Sequence, residues 1–97
     1  VIITKHLISE NPIWALYGHL SAESIKDKKI GQKISRGETI CWMGDKHENG
    51  GWESHLHFQL SVDEPETHDM PGVVNPEERE SALKKYPDPR VILGPIY

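Results

Sequence analysis

His55 and His57 stand two apart in Ser54-His55-Leu56-His57-Phe58-Gln59-Leu60-Ser61-Val62, the most regular stretch of the chain. Apolar Leu56, Phe58, Leu60 and Val62 alternate with His55, His57, Gln59 and Ser61. Strict period two predicts a strand with both imidazoles on one face and an apolar face packed against the core. Such a pair can bind one metal jointly. It can also divide the work, one ring ligating while its neighbour orients or polarises a bound water or substrate. The same spacing equally suits two imidazoles on the wetter side of a sheet. His19 is a third candidate for the same cleft: it ends an extended segment after Tyr17-Gly18, where a glycine admits close approach of another backbone or a substrate.

The remaining candidates carry less chemistry. His6 reads as an edge-strand histidine, and His47 and His68 as solvated loop residues beside Glu48 and Asp69. Cys41, next to Trp42, has no evident base partner and reads as a small core residue. Trp14, Trp42 and Trp52 read as core or cleft-wall aromatics, and Trp52, in the glycine-rich loop before the histidine strand, suits the lining of a substrate groove.

The elements that must hold these residues are short. The β-branched run Val1 to Ile8, a turn signal at Glu10-Asn11-Pro12 and the apolar run Ile13 to Tyr17 predict two antiparallel strands. Ser21 to Lys29 is polar, a helical turn and surface loop. Glycines at 31 and 37 predict tight turns feeding short strands over residues 30–40, with Ile40 to Met43 as the next strand. His47-Glu48-Asn49-Gly50-Gly51 predicts a loop. Asn75-Pro76-Glu77-Glu78 supplies a cap, a first-position proline and first-turn acids, so a helix is expected over 76–85. Pro87-Asp88-Pro89 ends it, leaving Arg90 to Leu93 as a last strand or extended tail.

Bulk properties narrow the function. Ninety-seven residues, 36% hydrophobic and 27% charged, fit one small domain and exclude several. No stretch approaches the roughly 20 apolar residues of a membrane span. The net charge is −4, and residues 1–57 balance seven Lys/Arg against seven Asp/Glu while residues 58–97 hold four against eight. Without a basic stripe, neither nucleic acid nor an anionic membrane is an expected partner. A single cysteine precludes an internal disulfide and favours a reducing, cytoplasmic setting. The apolar start at Val1, with no signal peptide, reads as a piece of a longer protein.

Three motifs in order, Y-G-H-L at 17–20, I-G-Q-K-I-S-R-G-E-T-I-C-W-M-G at 30–44 and H-L-H-F at 55–58, resemble the LytM (lysostaphin-type) zinc metallopeptidases. The resemblance covers roughly residues 1–62, the C-terminal part of such a domain, with 63–97 expected as an acidic loop, short helix and tail packed on it. It implies a mainly β, antiparallel sandwich or barrel-like fold with one short C-terminal helix. It also implies zinc as cofactor and a peptide or amide substrate. By this likeness His57 is a zinc ligand, and His19 and His55 are catalytic residues flanking the metal-bound water and stabilising the oxyanion. The family's H-x-x-x-D ligand pair is absent upstream of Tyr17, where His6 is followed at the fourth position by Glu10. The pair is therefore expected before Val1, and the 97 residues alone are expected to be inactive.

A narrower likeness, through E-N-G-G-W at 48–52, D-M-P-G-V at 69–73 and Y-P-D-P-R-V-I-L at 86–93, points to a branch whose peptidase-like domain is fused to a class III aminotransferase. That implies pyridoxal phosphate on a domain outside this chain, other domains of the parent as partners, and a rival role as a non-catalytic linker or binding module. A phosphocarrier, also a sandwich with paired histidines, is disfavoured by the H-x-H and Y-G-H-L motifs.

Overall fold

The computed structural model describes residues 1–67, 70–71 and 73–95. The protein is small and mainly β, organised on one three-stranded antiparallel sheet in the order β1 (Ile2–Ile8), β2 (Asn11–Gly18), β3 (His57–Ser61). Strands β1 and β2 form a hairpin in which Ile8 pairs with Asn11 and Ile2 with Tyr17. The turn is Ser9-Glu10, both at positive φ (50° and 70°), one residue earlier than the proline suggested. Two left-handed residues match the right-handed twist of the strands they join, and this lets Asn11 and Pro12 enter β2.

Strand β3 pairs with β2 from Trp14↔Ser61 to Gly18↔His57. On one face Tyr17 and Phe58 pack edge to face at 5.3 Å, beside the buried pair Ala15 and Leu60. On the other, Leu16 is buried opposite Gln59. Burial thus falls on both faces near the sheet centre, and the expected apolar stripe holds only in its middle. Leu60 is 2% exposed, whereas Leu56 and Val62, just beyond the strand ends, are 46% and 44% exposed.

The segment between β2 and β3 departs most from expectation. Helix α1 (Ala22–Lys26) is the anticipated helical turn, but residues 30–42 form turns and extended coil with no strand, and only Met43 makes a ladder contact, an isolated bridge to Leu20. What holds this coil is a side chain. Ser24, 1% exposed, accepts a hydrogen bond from Trp42 N (2.8 Å) and donates to Trp42 O (3.1 Å). A polar segment therefore contributes one of the most buried residues. Trp42 itself is exposed, and Cys41 is only half-buried.

After β3, Val62 N donates to Lys85 O (2.9 Å), joining the sheet to the C-terminal helical segment. Asn75 Oδ1 accepts from Glu78 N (3.0 Å), capping a single 3-10 turn at Pro76–Glu78 that runs into α2 (Arg79–Lys85). Arg90–Leu93 is a further helix, α3, and not a strand. Pro89, at φ −57°, already has helical geometry, and Asp88 Oδ1 accepts from Arg90 N (2.9 Å), so α3 starts at the second proline of Pro87-Asp88-Pro89, two residues after the one that blocks α2. Among the described residues no helix is long and apolar enough to cross a membrane.

Candidate functional site

His19, His55 and His57 lie together at the end of β2. The ring centroids of His19 and His55 are 4.5 Å apart, and those of His19 and His57 5.7 Å. Each ring is placed by a different device. His57 opens β3 opposite Gly18, and a Cβ on Gly18 would sit 3.2 Å from His57 Cβ, so the glycine makes room for this imidazole. His19 follows at φ 61°, a left-handed conformation that turns the chain out of β2. Its carbonyl accepts from Gly44 N (2.7 Å), and Ser21 N donates to Trp42 O (2.9 Å), so the coil at 42–44 clamps the residue on its far side. Gly44 is needed there, because a Cβ would fall 2.8 Å from Leu20 O.

His55 precedes the strand and is fixed by the loop. Asn49, 5% exposed, accepts from Trp52 N (3.0 Å) and donates to Glu53 O (3.2 Å), closing the turn through Gly50 and Gly51, which stand at φ 87° and 96°. His55 Nδ1 lies 2.7 Å from the same Glu53 carbonyl. The loop thereby sets His55 beside a cleft of about 490 Å³ shared with His19, Asn49, Trp52 and Glu53. Trp52 forms its wall and stays exposed. Glu53 is engaged by Lys46 at 2.8 Å. A larger cleft of about 950 Å³ lies between the first hairpin and residues 28–40, and its lining includes His6, whose Nε2 is 2.7 Å from Thr4 Oγ1.

Electrostatically the site favours an uncharged His19. Desolvation, followed by the positive fields of His55 and His57, lowers the His19 pKa below its ordinary value. His47 is exposed in its loop, and His68 lies outside the described residues. Two residues of the site carry roles that the motifs do not mark. Asn49 has a sequence signal, an asparagine before Gly-Gly, but its buried staple depends on the loop closing. Gln59 shares the odd-numbered face of β3 with His57, and its Oε1 is 3.1 Å from His57 Nε2.

Among the described residues no three His, Cys, Asp or Glu side chains are grouped to hold a metal ion. A catalytic zinc needs about three protein ligands, so these residues do not by themselves fit one. No curated protein and no solved structure matches the chain. The family model described as Peptidase family M23 matches residues 1–69, which span both strands of the hairpin, the coil, the loop and all three clustered histidines. That match covers most of the sequence, and the chain belongs to Peptidase family M23.

Proposed function

We propose that the chain forms part of a domain hydrolysing peptide or amide bonds, with the three-imidazole group as its reacting centre. The observation supporting this reading is that His19, His55 and His57 stand within 5.7 Å, centroid to centroid along His55–His19–His57, inside the stretch matched to the family. In this reading His19 and His55, which line the open cleft, face the scissile carbonyl and stabilise the oxyanion that forms when water adds to it. Trp52 supplies an apolar wall for the substrate chain.

Members of the family are typically zinc-dependent. His57 is the residue of this chain assigned to the metal. Two further ligands have to come from residues other than those grouped around it, and the closed sandwich of the complete domain is proposed on the same basis. The match ends at residue 69, so it does not reach the segment 86–93 that carries the likeness to the aminotransferase-fused branch.

The test compares zinc content and peptide hydrolysis for the chain and for a version extended upstream through an H-x-x-x-D segment, each with a His57→Ala control. The expected result is zinc and turnover only in the extended protein, both lost with His57. Stoichiometric zinc with His57-dependent turnover in the 97 residues alone would reassign the ligands. An extended protein that binds zinc but cleaves nothing would leave a binding module.

A further inference from the structure

We infer that the two histidines of the H-x-H pair are held in opposite tautomers, and that Gln59 is the positioning residue that sets the one at His57. The argument rests on the partners. The Glu53 carbonyl can only accept a hydrogen bond, so His55, 2.7 Å away through Nδ1, carries its proton on Nδ1 and leaves Nε2 as the basic nitrogen. His57 contacts Gln59 Oε1 through Nε2 at 3.1 Å, and an amide oxygen likewise only accepts. The amide orientation is itself determined: Gln59 Nε2 donates to Pro71 O at 3.0 Å, which turns Oε1 toward the imidazole. His57 therefore carries its proton on Nε2 and leaves Nδ1 open.

The device works because positions 57 and 59 share a strand face while 55 lies outside the strand, where a loop carbonyl can reach its ring. One pair of identical side chains is thus given two different basic atoms. A second-layer hydrogen bond of this kind fixes ring orientation and raises the basicity of the nitrogen left open. The assignment builds on the proposed role of His57 only in saying which atom faces a ligand. The tautomers are a property of the chain with no metal and no turnover.

The experiment is imidazole 15N spectroscopy on the uniformly labelled chain at a pH where the rings are neutral. In the unmodified chain His57 is expected with the proton on Nε2 and His55 with it on Nδ1, each preferred about tenfold, as one hydrogen bond of ordinary strength provides. Gln59→Leu removes the acceptor and should lower the preference at His57 to the weaker Nε2–H bias of a free neutral histidine while His55 stays as it was. Gln59→Glu keeps an acceptor and should retain it. Finding Nδ1–H on His57 in the unmodified chain, or an unchanged His57 in Gln59→Leu, overturns the inference. The first of these readings needs no variant, so a Gln59→Leu that fails to fold does not shield it. Failure of hydrolysis in the extended protein would remove the proposed activity and leave the tautomer assignment standing.

Discussion

At the scale of single residues, the site depends on side chains that do no chemistry. Asn49 joins Trp52 N and Glu53 O across two left-handed glycines, and Glu53 O in turn receives His55. Asn49→Ala should cost about 1–3 kcal/mol, since it removes the two hydrogen bonds that close the loop. It should also broaden the His55 ring signals more than those of His57; equal effects on both would show that the loop does not hold His55. Cys41 offers an independent check on the coil that clamps His19. Burial raises its thiol pKa above the ordinary value, outweighing the opposing charges of Lys28 and the N-terminus. Alkylation at about pH 8, near the ordinary thiol pKa, should be slower than for a free cysteine and should speed up on adding urea. Equal rates folded and unfolded would mean the 40–44 coil is open. The histidines were legible in the sequence because a strand's alternation and a strand-ending glycine are local. The roles of Asn49 and Gln59 are not legible there, because their partners, the Glu53 carbonyl and Pro71 O, are brought into reach only by loop closure.

Among the elements, β3 shows how far periodicity carries. Alternation over 54–62 correctly gives the facing of residues 57–61 but overstates the strand, because pairing partners run out at Gly18. The energetic consequence is specific. Leu60→Ala should cost about 2–5 kcal/mol, as for a filled core position, whereas Leu56→Ala, at a half-exposed site, should stay below about 1 kcal/mol. Urea unfolding of the two variants checks this, and a Leu56 effect as large as that of Leu60 would extend the packed face to the full alternating run. The C-terminal helix was readable in advance because its cap, proline and acids are consecutive. Arg90–Leu93 was not, because its start depends on the Asp88 carboxylate reaching Arg90 N. The coil at 30–42 misled for a related reason: its glycines permit turns, but whether short strands form between them depends on partners, and the backbone of Trp42 is met by Ser24 and Ser21.

For the molecule as a whole, the apolar residues outnumber the places that bury them. Among the described residues the buried apolar side chains are Ala15, Leu16, Leu20, Leu60 and Met70, while Leu7, Ile30, Trp42, Trp52, Val73 and Val91 are exposed. A part of this surface borders the cleft of about 950 Å³, which Ile30, Ile34 and Ile40 line together with Lys33 and Arg36. Hydrophobic stabilisation scales with area removed from water, so the chain should sit below the ordinary range, under about 5 kcal/mol. The same cleft should take up an anionic apolar dye such as anilinonaphthalene sulfonate, its rings against the isoleucines and its sulfonate near the cations. Dye binding by a loosely packed state would look alike in the unmodified chain, so the deciding variant is Ile34→Asp. Ile34 is 39% exposed, and the change should alter stability by no more than about 1 kcal/mol. It nevertheless places a negative charge on the cleft wall and should weaken dye fluorescence several-fold. Undiminished fluorescence would mean the dye reports general looseness, and unfolding above about 5 kcal/mol without dye uptake would mean that the exposed isoleucines find cover in solution.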